Sequence, residues 1–290
     1  MKKNIGVKAF LKTMGLQKNL KTKQLDNRLL ISLDDEGKTK LEEVWEQKYY
    51  GFASMLDLYS IPKTLKQACL LFSHDYSRIE KSMEWTTQKV LLLKSKSILE
   101  MGCGFGLLIK FLQTRDPNLR LMGIDQAHNL VDIGTDLTGI NLIAGNYLEV
   151  KPQSSYDTII SDFGFDLEDL QMPNSEHQYK EIGDVSICIN CCRDFKEKIT
   201  PYIKSWRKWG NKNSNLIMTG RLTRNHSYIL ATLEVANEYN WNLDMSQTKI
   251  LQTYNKHTKQ AEKFPGFVFN SNNENKVREN FQKIIHMLQY

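Results

Sequence analysis

Four polar residues stand where short apolar runs end, and their types and spacing define a chemistry. Glu100 closes Ser97-Ile98-Leu99, and Asp125 closes Leu121-Met122-Gly123-Ile124. Asn146 follows Leu142-Ile143-Ala144-Gly145, and Asp162 closes Thr158-Ile159-Ile160-Ser161. Directly after Glu100 come Gly102, Gly104 and Gly106 at alternate positions, with Cys103 and Phe105 between them. Glycine lacks the Cβ that obstructs a tight turn, so a ligand can lie against this main chain. Glu100 offers a carboxylate to an amino or cationic group held over the glycines. Asp125, nineteen residues beyond Gly106, stands where an acid takes both hydroxyls of a ribose. An amide at Asn146 suits the polar edge of an adenine, and Asp162 would flank the reacting atoms.

Such residues need a scaffold that ends several strands at one edge. Apolar runs predict strands at 97–101, 119–124, 142–144, 156–161, 215–219, 241–251 and 264–269. Helical patterns fall between them at 107–114, at 176–209 with a break near Pro201, and at 226–239. Alternation of this kind gives an α/β fold with a seven-stranded, mostly parallel sheet and helices on both faces. Ligands bind such sheets at the carboxyl ends of the strands. No helix separates the last two strands, so they are expected to form an antiparallel hairpin. Val277, Phe281, Ile284 and Leu288 make the apolar stripe of a docking helix within 273–290. Ahead of the sheet, residues 1–84 read as a helical extension or cap. Its expected parts are a basic amphipathic helix through Val7, Phe10, Leu11 and Met14, a mobile polar connection at 19–39, and helices at 41–58, 64–72 and 77–92. Ser77 with Glu80 supplies a capping-box pattern for the last of these.

The run Glu100-Met101-Gly102-Cys103-Gly104-Phe105-Gly106, then Asp125, Gly145-Asn146-Tyr147 and Ser161-Asp162-Phe163, resembles the class I S-adenosylmethionine-dependent methyltransferases over roughly residues 85–270. The resemblance implies a Rossmann-like domain at 85–272 with S-adenosyl-L-methionine as cofactor. By it, Glu100, Gly102, Cys103, Gly104 and Gly106 would surround the methionine part and Asp125 the ribose. Gln126, Asn146 and Tyr147 would flank the adenine, with Asp162 nearby. Many members carry Asp where Asn146 stands. A nicotinamide dehydrogenase is the natural competitor, but its third glycine falls one position later, and Glu100 would repel a pyrophosphate. A sulfonium bearing an ammonium group favours that carboxylate.

The expected reaction is methyl transfer to an N or O nucleophile, most simply on a small molecule. Positioning supplies much of the rate, and a general base is needed only for a protonated nucleophile. Asp162, His177 and His226 are the catalytic candidates, with Asp166, Tyr179, His74 and Tyr76 as further pocket-lining choices. No metal is expected. The acids Asp162, Asp166, Glu168 and Asp169 read as a solvated loop. Cys188, Cys191 and Cys192, at helical i, i+3, i+4 spacing, read as packing thiols without a second Cys-x-x-Cys to complete a zinc site.

Composition narrows the partners. The chain of 290 residues carries a net charge of +6, with 41% hydrophobic and 25% charged residues, values ordinary for a soluble domain. The seven lysines of residues 1–25, which precede the first acid at Asp26, and the basic stretch 193–212 with Trp206 and Trp209 keep an RNA or protein substrate as an alternative. Homodimerisation through the N-terminal helices and a catalytically silent binding subunit of the same fold are further alternatives. No apolar run is long enough to span a bilayer. Five cysteines, odd and clustered, form no disulfide framework, so a cytoplasmic location is expected.

Overall fold

The computed structural model describes residues 5–49, 54–164, 176–220, 225–255, 259–271 and 276–289. The chain begins with helices α1 (Val7–Met14), α2 (Thr22–Ser32), α3 (Asp35–Tyr49), α4 (Met55–Tyr59) and α5 (Leu65–Phe72); a 3-10 turn at Ser73–Asp75 leads into α6 (Tyr76–Leu92). The mobile connection expected at 19–39 is a correction: it holds α2 and the start of α3. Leu25, Leu29 and Leu33 recur every fourth residue and are buried with Leu41, Val44, Ile61, Leu70 and Leu71 in one cluster. The acidic run that reads as a loop starts a helix instead. Asp34 accepts the Gly37 N–H at 2.9 Å, and Asp35 and Glu36 fill the first turn of α3, where carboxylates suit the positive end of the helix dipole.

The capping box expected at Ser77 is likewise a correction, because Ser77 lies inside α6; the preceding helix α5 has one at Thr64 and Gln67. Thr64 accepts the Gln67 N–H, and the Gln67 amide oxygen accepts the Thr64 N–H. The Gln67 amide nitrogen donates to the Ser32 carbonyl at 2.7 Å, tying α5 to the end of α2.

Strands and helices then alternate as β1 (Ser97–Met101), α7 (Leu107–Arg115), β2 (Arg120–Asp125), α8 (His128–Thr138), β3 (Ile143–Ala144) and β4 (Tyr156–Asp162). Next comes a departure from expectation. Where the pattern suggests one helix from residue 176, the chain first forms a separate hairpin of β5 (Tyr179–Ile182) and β6 (Val185–Cys188). Gly183-Asp184 is its two-residue turn, with Gly183 at φ +60°, which glycine adopts without strain. Helix α9 (Ile189–Trp209) follows and runs through Pro201. That proline is exposed, so water can bond the carbonyl it leaves unpaired.

The remaining elements are β7 (Gly210–Thr219), α10 (His226–Glu238), β8 (Asn242–Leu243), β9 (Lys249–Asn255), β10 (Gln260–Asn270) and α11 (Val277–Gln289). The main sheet has eight strands in the order β3-β2-β1-β4-β7-β10-β8, with β9 also pairing β10. Pairings β2–β3, β1–β4 and β4–β7 are parallel, while β10 is antiparallel to both β7 and β8. The expected mostly parallel sheet with an antiparallel end is therefore present, with one strand more than the seven read from sequence. The extra strand arises because 241–251 is cut in two. Asp244 accepts the Ser246 N–H at 3.0 Å in an Asx turn between β8 and β9.

By contact the chain divides into two compact units. One comprises Met1–Gln88, Gly102–Asn146 and Thr253–Glu262, and the other Lys89–Met101, Tyr147–Gln252 and Lys263–Tyr290. In the first, Phe10 of α1 packs on Phe111 of α7 with ring centroids 5.0 Å apart. Asn129 of α8 donates to the Tyr59 and Pro62 carbonyls at 2.9 and 2.6 Å. In the second, Phe195, Ile199, Ile203 and Trp206 form the buried stripe of α9, and Leu216, Ile217 and Met218 fill the interior of β7. Among the described residues no helix is long and apolar enough to cross a membrane.

Gly134 of α8 packs directly against the backbone of the glycine turn. A Cβ there would meet the Phe105 carbonyl carbon at 2.9 Å and its oxygen at 3.0 Å, both backbone atoms that cannot swing away. Gly134→Ala should therefore cost about 1–3 kcal/mol by overpacking. Urea unfolding should show a lower midpoint at unchanged slope; an unaltered midpoint would contradict this close approach.

Candidate cofactor-binding site

The glycine turn is built by three backbone bends. Gly102, Gly104 and Gly106 have φ of +74°, +51° and +69°, and a side chain at each would cost roughly 1–2 kcal/mol of strain. Gly102 and Cys103 both donate to the Ile124 carbonyl, at 2.8 and 3.1 Å, and Gly106 donates to the Cys103 carbonyl at 2.9 Å. The loop is thereby fastened to the end of β2 before it enters α7.

Asp125 is the node of this arrangement. Its Oδ2 accepts the Gly104 N–H at 2.7 Å, and its Oδ1 accepts the Ala127 N–H at 2.8 Å. Its own carbonyl accepts the Gly145 N–H at 2.9 Å, which fixes the loop carrying Asn146. Burial pushes the Asp125 carboxyl above the ordinary carboxylate range, against the pull of the N–H groups of Ala127, Gly104 and Gln126. Each carboxylate oxygen has lone pairs to spare after one bond, so the group can still accept from a ligand. Gly102, Cys103, Gly104, Gly106, Asp125, Gln126 and Asn146 thus lie on one hydrogen-bonded set of loops.

Phe72, at the end of α5, escaped the sequence reading. Its ring lies where a Cβ on Gly104 would meet Cζ at 3.1 Å, and it packs edge-on against Phe105 at 4.8 Å. The N-terminal helical segment therefore reaches the glycine turn through an apolar ring. The polar candidates beside it serve the cap itself. Nε2 of His74 is 3.2 Å from Asp26, and the buried Tyr76 donates to the Lys8 carbonyl at 3.4 Å.

The other candidates lie in the second unit. Glu100 is buried on β1, in register with Ile160 of β4. Tyr147 is buried, donates to the Gly164 carbonyl at 2.9 Å and sets its ring against Tyr202 and Trp206. Asp162 accepts from the Thr219 hydroxyl of neighbouring β7. Beside it, Phe163 holds φ +57°, a left-handed conformation that is strained for an aromatic residue, and packs on Phe264. His226 is exposed at the start of α10, and Tyr179 is exposed on β5. Asp166, Glu168 and Asp169 lie outside the described residues.

Trp206 and Trp209 are wholly buried, and the Arg207 guanidinium donates to the Asn211 carbonyl and the Ser214 hydroxyl. The basic stretch 193–212 therefore offers no stacking tryptophan to a nucleic acid strand. Cys188 caps α9 rather than lying within it. Burial alone would push its thiol up, but the Cys191 N–H, the His177 ring and the Cys191 thiol outweigh that and bring it down to about 6. Burial, with the Cys188 sulfur beside it, pushes Cys191 up to about 11.

No family model matches the chain. A stretch of 96 residues is 32% identical to a malonyl-[acyl-carrier protein] O-methyltransferase of Acetivibrio thermocellus, covering 31% of this chain and 34% of that protein. A stretch of 114 residues is 25% identical to the protein of the same name in Anoxybacillus flavithermus, covering 38% of this chain and 44% of that protein. The chain thus spans less than half the length of the curated relatives it matches. Among solved structures, a SAM-dependent methyltransferase from Aquifex aeolicus aligns at a TM-score of 0.42 and 11% identity, over 68% of this chain and 94% of that one. A likeness that distant says nothing of the reaction.

The Asp125 node can be tested without any ligand. Asp125→Asn sets an amide N–H against one of the two backbone N–H donors, leaving that donor unsatisfied. The expected loss is about 1–3 kcal/mol, read by urea unfolding of the ligand-free protein. Equal stability of the two proteins would show that the carboxylate does not organise the loops.

Proposed function

We propose that this chain is an S-adenosylmethionine-dependent methyltransferase acting on an oxygen of a small acyl or carboxylic acceptor. The observation that carries the reading is Asp125, a carboxylate at the end of β2 held by Gly104 and Ala127 while retaining acceptor capacity for ribose hydroxyls. The residues fit the group. Three glycines take left-handed φ without strain, which lets the chain turn tightly into α7, and an acid at Glu100, two residues before the first of them in sequence, would complement a cationic amino-acid tail where it would repel a phosphate. Gly102 to Gly106 would hold the methionine part, Asp125 the ribose, and Gln126 with Asn146 the adenine.

The cofactor, when bound, supplies a methyl group on an already activated sulfonium leaving group. The chain's own task is orientation and exclusion of water, for which Phe72 gives the glycine turn an apolar cover. The relatives' name specifies O-methylation of a malonyl group, and such a carboxylate is ionised at neutral pH. An acceptor of that kind needs no general base, so Asp162, His177 and His226 are not required to carry a proton. The substrate alternative, RNA held by the N-terminal lysines, keeps only the charge of exposed residues such as Lys8 and Lys12.

Calorimetric titration with S-adenosylmethionine should show binding to the wild type and at least about tenfold weaker binding to Asp125→Ala, since a charged hydrogen bond is worth about 1.5–3 kcal/mol. Absence of binding to the wild type would overturn the function, and unchanged affinity of the variant would overturn the ribose assignment. A second measurement follows the same carboxylate through pH. Ribose hydroxyls donate to the ionised form, so affinity should fall as pH drops through a titration raised above the ordinary carboxylate range. Affinity that stays flat down to about pH 4 would contradict that environment. Transfer of labelled methyl to a malonyl thioester, insensitive to moderate salt, is expected. Labelling of RNA with a steep salt dependence would favour the other acceptor.

A further inference from the structure

Outside the proposed cofactor site, three soft or borderline donors converge in the second unit. Nδ1 of His177 is 3.5 Å from Sγ of Cys188 and 3.4 Å from Sγ of Cys191, and all three atoms lie within 4.8 Å of one another. Both cysteines are buried and free, and the imidazole is at the surface. We propose that His177, Cys188 and Cys191 form a zinc site with three protein ligands and a fourth position open to water.

Geometry is the main argument. A tetrahedral zinc with Zn–S of about 2.3 Å and Zn–N of about 2.0–2.1 Å places each sulfur about 3.6 Å from the nitrogen. The two observed N···S separations, 3.5 and 3.4 Å, match that edge of the tetrahedron closely. A set of one imidazole and two thiolates selects zinc over magnesium or calcium, which take oxygen ligands.

The backbone around the donors is fixed independently of any ion. On one side of His177, the Gln178 carbonyl accepts the Ile189 N–H at 2.8 Å; on the other, the Glu176 carbonyl accepts from the Asn190 side chain at 2.7 Å. Ile189 and Asn190 are the two residues between the cysteines, so the segment bearing the imidazole, just ahead of β5, is laced to the start of α9 between the thiols. The Cys188 N–H donates to the Ser227 hydroxyl at 3.1 Å, and the Cys191 N–H points at the Cys188 sulfur at 3.4 Å. Such outer hydrogen bonds orient ligands before the metal arrives. A Cys-x-x-Cys at a helix start also suits a redox pair, but a redox pair has no need of a third donor placed equally from both sulfurs. Cys192, the next residue, turns away toward Glu234 and is not a ligand.

The test uses the whole chain, purified under reducing conditions, stripped with chelator and titrated with zinc alone or cobalt alone. One equivalent of zinc should bind with release of thiol protons, and cobalt should give the sulfur-to-metal charge-transfer absorption of thiolate ligation. Cys188→Ser and Cys191→Ser should lose stoichiometric binding, while Cys69→Ser and Cys192→Ser should keep it. His177→Asn changes an exposed residue and should also lose tight binding, so it remains informative if a cysteine variant does not fold. Absence of zinc uptake by the reduced wild type overturns the proposal. Equal uptake by the Cys188, Cys191 and His177 variants overturns it too, as does a Cys188–Cys191 disulfide forming with no metal affinity in the reduced protein.

Discussion

The loops around the glycine turn are organised by one half-buried carboxylate. Asp125 joins three loops, because its two oxygens hold Gly104 and Ala127 while its carbonyl holds Gly145. Removing an ion from water costs several kcal/mol, and each charged hydrogen bond returns about 1.5–3 kcal/mol. Desolvation is the largest influence on the carboxyl and pushes its titration up, against the pull of the Ala127, Gly104 and Gln126 N–H groups. A group left in that condition gains from any further donor. The ribose hydroxyls proposed for this site would be donors of that kind.

The glycine turn can do its work only because its surroundings are equally constrained. A Cβ on Gly123 would meet Cys103 Sγ and Ile109 Cδ1, both at 2.6 Å; one on Gly106 would meet Leu142 and Thr138, both at 3.2 Å. Residues of β2, α7 and α8 therefore pack closely against the loop, and Phe72 of α5 packs on it as well. Glycine takes the three positive φ angles without strain, and this packing holds the loop in that one conformation. The N-terminal helices are then part of the scaffold of the turn, since α5 delivers Phe72 and Asn129 of α8 holds the 59–62 bend by two hydrogen bonds.

The strand ends and the glycine turn were legible because each is a local signal: an apolar run, then an acid, then residues without side chains. The position of Asp125 at the end of β2 could be read from the apolar run it closes. The elements that escaped depend on signals that compete. In 19–39 the charges outnumber the leucines, yet Leu25, Leu29 and Leu33 decide the outcome once Leu70 and Leu71 cover them. At 179–188 the helical texture of the following stretch masked Gly183-Asp184, a hairpin turn written in two residues. Phe72 could not be found at all from sequence, because an aromatic at the end of an apolar helix looks the same whether it packs on core or on a ligand loop. Conversely, Trp206 and Trp209 beside lysines suggested a stacking surface, and burial resolved them as core.

The same blindness to distant partners explains the cysteines. Read along a helix, Cys188, Cys191 and Cys192 share one face and pack; folded, Cys188 is the cap before the helix, and its sulfur faces a different neighbour from that of Cys192. The hairpin brings His177 back across the start of α9, a return that no periodicity encodes. At Asp125 and at His177 the logic is alike. Backbone hydrogen bonds immobilise the polar groups in advance, so that a ligand need not meet the cost of ordering them. The chemistry differs in the donors: a hard carboxylate among N–H groups suits hydroxyls, and two sulfurs with an imidazole suit a borderline-soft cation. Donor type and preorganisation together, more than the size of any cavity, separate the ligand proposed at Asp125 from the one proposed at His177.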